Sequence, residues 1–168
     1  VLKFCPRCGS RDFSFQKDSS FRCAACSLHY YINSAAAVVA LITDDQGRLL
    51  FTRRAHDPGK GELDLPGGFV NVMESAEEAL LREIREELNC EISEYSYLRS
   101  YPNRYLFGGL VYFTTDLVYQ CTLHDTATLS ASDDVSAIEF LDARHVNLQN
   151  IHLESIKNIV ADYRKNLR

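Results

Sequence analysis

The stretch Arg-Glu-Ile-Arg-Glu-Glu-Leu, Arg82 to Leu88, constrains this chain more than any other. Its residues favour a helix, and positions three and four apart on a helix are neighbours. Glu83 therefore faces both Glu86 and Glu87, and like charges at that spacing repel. The run also ends its helix, where the backbone carries partial negative charge that worsens the crowding. Two readings stand: a cation sits among the carboxylates, or the face is simply solvated. The flanks bound the helix. Ser75 opens it as a capping box with Glu78 three residues on, and Asn89 suits the left-handed position that ends it. Ala76, Leu80, Leu81, Ile84 and Leu88 supply an apolar face at three-to-four spacing.

A second array lies near the start. Of six cysteines, four fall in the first 26 residues, as Cys5-x-x-Cys8, fourteen residues, then Cys23-x-x-Cys26. Paired two-residue spacers let each half give two thiolates to one tetrahedral Zn²⁺. Between them "RDFSFQKDSSFR" alternates aromatic and polar residues around a Lys-Asp-Ser-Ser turn, the pattern of a short hairpin. So short a segment cannot bury enough apolar surface to fold alone, so a structural zinc would stand in for a core. The alternative, two disulfides, fits poorly with an opening run, "VLKFCPRCGS", that lacks the apolar core of a secretory signal. No later apolar run is long enough for a bilayer, so the expectation is a cytoplasmic protein with no membrane partner. Cys90 and Cys121 stand alone in apolar contexts and read as packed thiols.

The 168 residues are 46% hydrophobic and 24% charged, the balance of a globular chain with one main core. The net charge of −5 is uneven: residues 1–32 hold five Lys or Arg against two Asp, a net +3, which leaves −8 for the rest. An acidic body argues against bulk nucleic-acid binding, though not against small phosphates if a divalent metal supplies positive charge. The basic first segment, with Phe13, Phe15 and Phe21, either touches nucleic acid or braces a neighbouring domain. Beyond it, "AAAVVALIT" reads as a buried strand, "DDQG" as a turn and "RLLFTRR" as its paired strand. "AHDPGKGELDLPGG" is a long loop. "EYSYLRSY", "LVYFTTDLVYQCTL" and "VSAIEFL" read as strands, and residues 152–165 as a closing helix with Ile156, Ile159, Val160 and Tyr163 on its apolar stripe. Strands, helix, strands, helix suggest a mixed sheet covered by helices.

From Gly68 the sequence runs Gly-x5-Glu-x7-Arg-Glu-Ile-x-Glu-Glu-x-Asn-Cys, which closely resembles the Nudix box. Gly68, Glu74, Arg82, Glu83, Ile84, Glu86 and Glu87 fall on its fixed positions, and the likeness extends over about residues 34 to 168. Asn89 replaces the usual Gly and Cys90 an apolar residue; neither touches a carboxylate. The resemblance implies an α/β fold, a Nudix-type α/β/α sandwich with a mixed sheet over residues 33–168, preceded by a zinc ribbon over 1–32. It implies hydrolysis of nucleoside diphosphates linked to another group. By position, Glu83, Glu86, Glu87 and a backbone carbonyl at Gly67 would bind Mg²⁺ or Mn²⁺, while Glu74 pairs with Arg82 structurally. Asp134 matches a further acidic position. Glu86, Glu87 or Asp134 would then take a proton from the attacking water. Arg54 would meet a substrate phosphate or form a surface salt bridge.

A zinc ribbon ahead of a Nudix domain is similar to the NADH pyrophosphatase subgroup, some of whose members remove NAD caps from RNA. That subgroup carries Ser-Gln-Pro-Trp-Pro-Phe-Pro after the box; here the place reads Ser100-Tyr101-Pro102-Asn103-Arg104-Tyr105-Leu106. It reads as a loop in which Tyr101, Arg104, Tyr105 and Phe107 stack a base and touch a phosphate, or pack at a strand end. The expected partner is a small nucleotide, with NAD(H), ADP-ribose and other nucleotides open, and a homodimer in keeping with the family. The alternative to an enzyme is a nucleotide-sensing or nucleic-acid-associated module without turnover, against which the complete set of box glutamates speaks.

Overall fold

The computed structural model describes residues 2–167, and the chain divides into two compact units between Ser34 and Ala35. The first holds β1 (Phe13–Phe15), β2 (Ser20–Cys23) and β3 (His29–Tyr31) in one antiparallel sheet. Its small core is Phe13 stacked on Phe21, ring centroids 4.9 Å apart, with Cys5, Cys23, Cys26 and Leu28 around them. Two of the three phenylalanines weighed as nucleic-acid contacts are thus buried, and Phe15 alone of them stays exposed.

The second unit is a helix–sheet–helix sandwich of β4 (Ala35–Ile42), β5 (Leu49–Arg54), β6 (Leu63–Asp64), α1 (Ala76–Leu88), β7 (Ile92–Phe107), β8 (Leu110–Leu123), β9 (Val135–Leu141) and α2 (Glu154–Asn166). Alternation along β4 shows why. Val38, Ala40 and Ile42 pack with Ala79, Leu80, Ile84 and Leu88 of α1. Val39 and Leu41 point the other way and pack with Ile156, Ile159 and Val160 of α2. A strand buried on both faces must be apolar throughout, which is what "AAAVVALI" is.

Two readings of the sequence need correction. The strand read as the partner of β4 is not: β4 runs parallel to β8, while β5 pairs with β6 and β9 in a separate sheet. Among the described residues the two are linked in backbone pairing only by an isolated bridge, Thr43 to Leu49, just past the end of β4. The free edge of β4 is taken instead by residues 66–70. Val38 and Ala40 N–H donate to the Gly68 and Pro66 carbonyls, both at 2.8 Å, and Val70 N–H donates to Ala36 at 3.0 Å. The second correction is the aromatic "loop" after the box, which is the far half of β7, paired with β8 from Asn103–Thr114 to Phe107–Leu110. The turn between them is Gly108-Gly109 at φ 57° and 75°, the two positive values a twisted hairpin needs. Pro102 is accommodated because β7 is an edge strand.

Candidate active site

Helix α1 is fixed at both ends. Ser75 Oγ accepts from Glu78 N–H, and the Glu78 carboxylate accepts from Ser75 N–H at 2.8 Å. Asn89 closes the helix in the left-handed conformation at φ 50°. Between these caps the glutamates separate. Glu87 is 8% exposed and turns inward, where its Oε2 accepts the Gly67 amide at 2.9 Å. Burial, foremost, pushes its carboxyl well above 4.5, with Glu83 adding to the effect. Glu83 is also raised, again chiefly by burial, and Glu86 lies exposed. The inward turn of Glu87 is the point at which a simple apolar reading of the helix face fails, since Leu81 is the less buried of the two.

The cation that meets this crowding within the protein is Arg82. Its Nη1 donates to Glu83 Oε1 at 2.8 Å and to Glu86 Oε2 at 2.9 Å. Its Nε and Nη2 hold both oxygens of Glu74, at 2.8 and 2.9 Å, and Nη2 also reaches the Phe69 carbonyl. Those bonds, with one from Asn71 N–H, hold the Glu74 carboxyl down to about 2. The loop is glycine for steric reasons. A Cβ on Gly68 would lie 2.4 Å from Glu83 Oε1, and one on Gly67, at φ 141°, would lie 2.0 Å from the Val38 carbonyl oxygen.

Gly67, Gly68 and Glu87 line a cavity of about 530 Å³ together with Arg54, Tyr105 and Asp134. Arg54 is no surface ion pair: its Nη1 donates to the buried Asp64 at 2.8 Å, its Nε to the Pro58 carbonyl and its Nη2 to Tyr105 Oη at 3.3 Å. Burial pushes the Asp64 carboxyl up even with Arg54 beside it. Asp134 stands exposed at the rim, 3.8 Å from His56 Nε2. Arg104 is not brought to the cavity. It is exposed, because β7 alternates Asn103, Tyr105 and Phe107 inward and the residues between them outward. Reading the sequence also missed Asn103, Thr114 and Asp116 in the cavity wall. The signal was present: Thr114 and Asp116 are polar, two apart, in line with the apolar Val118 on the same face of "LVYFTTDLVYQCTL".

The donor sets suit metals of different kinds. Three carboxylates and a backbone carbonyl are all-oxygen donors, as hard divalent cations require. Pro66 and Gly68 carbonyls are used by β4, whereas that of Gly67 lies outside this ladder. In the first unit the sulfurs of Cys5, Cys8, Cys23 and Cys26 all lie within 4.8 Å of one another. Cys5–Cys26 and Cys8–Cys23 are 3.6 and 3.7 Å apart. A tetrahedron with zinc–sulfur bonds of about 2.3 Å has edges of about 3.8 Å, so the cluster can hold zinc. A disulfide needs about 2.05 Å, and all six cysteines are free. Among the described residues no helix is long and apolar enough to cross a membrane.

A helix sandwich whose capped helix sets Glu87 and Glu83 against a glycine loop on a strand edge is the setting of a NUDIX domain. The chain belongs to the NUDIX family, whose domain model matches residues 33–163. It is 34% identical over 137 residues to the ADP-ribose pyrophosphatase of Methanocaldococcus jannaschii, covering 79% of this chain and 75% of that one. To the NAD-capped RNA hydrolase NudC of Vibrio atlanticus it is 25% identical over 164 residues, 98% of this chain and 60% of the relative. The chain thus spans only part of that relative's length. In fold it is similar to a NUDIX hydrolase from Nitrosomonas europaea, with a TM-score of 0.70 at 19% identity over 98% of this chain and 91% of that one.

Proposed function

We propose that this chain is a divalent-metal-dependent pyrophosphohydrolase acting on a nucleoside diphosphate-linked substrate of the NAD(H) or ADP-ribose kind. The observation that carries the reading is Glu87, a buried carboxylate raised out of its ordinary range, aimed with the Gly67 amide into a nucleotide-sized cavity. Glu83, Glu86, Glu87 and the Gly67 carbonyl would hold Mg²⁺ or Mn²⁺. Bound there, the ion would neutralise diphosphate charge and acidify a water. Glu86, Glu87 or Asp134 takes the proton of the attacking water, a new phosphorus–oxygen bond forms, and the bridging oxygen leaves with one phosphate. Arg54 and Tyr105, already joined by a hydrogen bond, steady the substrate, and Glu74 with Arg82 ties loop to helix. Residues 1–32 form a ribbon domain braced by a structural Zn²⁺, ahead of the catalytic domain over 33–168.

A panel of NAD(H), ADP-ribose, dinucleoside polyphosphates and nucleoside triphosphates, incubated with Mg²⁺, tests the proposal. Release of AMP or another nucleoside monophosphate is expected from at least one, and Glu86→Gln should abolish it with an unchanged circular dichroism spectrum. Silence across the panel would point to a binding module without turnover, and a fully active Glu86→Gln would overturn the metal-site reading.

A further inference from the structure

Asn103 is out of place as a structural residue. It lies in β7 opposite Thr114 of β8, is 8% exposed, and its Oδ1 is sealed from solvent without a hydrogen-bond partner. Folding alone gives no reason to keep such a group, because burying an unpaired amide is unfavourable and an apolar residue of equal size would avoid it. The rest of that wall has the same character. Thr114 and Asp116 are each 4% exposed, and Thr114 Oγ1 donates to Asp116 Oδ1 at 2.6 Å. The hydroxyl proton is thereby committed, and the wall presents oxygen acceptors. Aromatic faces accompany them in the same cavity: Tyr105 and Phe107 stack with centroids 5.9 Å apart at 8°, and Phe69 tilts against Tyr105 at 6.1 Å.

Flat aromatic faces beside buried acceptors suit a flat ring that carries N–H donors. We infer that Asn103, together with Asp116, reads the exocyclic amino group of an adenine-type nucleobase on the substrate. The inference rests on the hydrolase reading only in placing base and diphosphate in one cavity. It is tested by binding rather than by turnover, so the two can fail separately.

The experiment is calorimetric titration of the full zinc-loaded chain, without magnesium, with ADP-ribose and with its hypoxanthine counterpart, in which a 6-oxo group replaces the 6-amino group. ADP-ribose should bind about tenfold more tightly, as expected for a paired base edge. Asn103→Leu should reduce that preference to less than about twofold and raise the thermal midpoint, since the unpaired amide is gone. Equal wild-type affinities, no binding of either ligand, or a tenfold preference kept by Asn103→Leu would each overturn the inference. Equal wild-type affinities would sink the inference even if the variant does not fold. A wrong hydrolase reading would show separately, as no monophosphate released once magnesium is added.

Discussion

The four thiols of the first unit and the three glutamates of α1 pose the same electrostatic problem on different scaffolds. In the ribbon the four sulfurs gather near the corners of a tetrahedron, all within 4.8 Å of one another. Burial opposes ionisation of Cys5, yet backbone N–H groups of Cys8 and Arg7 hold its thiol down to about 7. At Cys8 a backbone bond from Ser10 favours the thiolate, but the neighbouring thiols push it up to about 12. In the body the carboxylates are shared out, Glu83 and Glu86 to Arg82 and Glu87 to the Gly67 amide. A structural metal site is closed and depends on its ion. A site that takes up its ion with substrate, as proposed for the glutamates, would need a resting arrangement without one, which the bonds from Arg82 would supply.

The largest effect should therefore fall on the ribbon. Removing zinc from the full chain with a strong chelator, or substituting Cys23→Ser, should abolish hydrogen-exchange protection across residues 2–34. The strands β4 and β8 should keep theirs, because the body's two apolar clusters lie wholly after Ser34. A ribbon that stays protected without metal would break the comparison.

Next come the two glycines, which separate folding from chemistry within a single turn. Gly67→Ala sets a Cβ against a backbone oxygen at a left-handed φ, where nothing can yield. A loss of about 2–4 kcal/mol in denaturant unfolding is expected. Gly68→Ala meets only the end of the Glu83 side chain, which can swing away. Stability should hold while hydrolysis falls about tenfold or more, since small displacements of a positioned group are costly to rate. A fully active, stable Gly68→Ala would remove Glu83 from the site. A third measurement isolates the buried carboxylate. Glu87→Gln should lower turnover by about 10²-fold or more with no loss of thermal stability, because the charge it removes was itself unfavourable in burial.

What the sequence disclosed, and what it withheld, follows the range of the interactions. Ser75, Glu78 and Asn89 are local signals, and the helix they bound is the one observed. The spacing of the four cysteines was enough to foresee their cluster, whereas that of Glu83, Glu86 and Glu87 gave their shared helix but not their separation into half-buried, exposed and buried positions. The pairing of β4 was not, since two apolar strands joined by a tight turn look like a hairpin whatever takes their edges. That edge went to Pro66–Val70, a run without periodicity whose bonds to β4 are visible only in three dimensions. The same displacement delivers the Gly67 amide to Glu87, so the inward turn of that glutamate was equally hidden. Arg104 and Tyr105 looked equivalent in a loop; once Gly108-Gly109 makes the segment a strand, pleating sends them to opposite faces.

The smallest effect concerns the tie that keeps the body's carboxylates in order. Hydrogen bonds from Arg82, then from Asn71 N–H, hold Glu74 at about 2, below the 4.5 of an unpaired glutamate. A carboxyl depressed in the folded state stabilises that state above its unfolded value, and loses the contribution as acid protonates it. The advantage of wild type over Glu74→Gln should thus be complete above pH 4.5, shrink below it, and be gone at about pH 2. Thermal midpoints of the two proteins, taken in parallel from pH 6 downward in chelator, read this directly. The chelator matters, because metal at the glutamates would compete with Arg82 for Glu83 and Glu86. A difference that does not depend on pH would mean that Glu74 acts through packing, and that Arg82 is not what steadies the resting site.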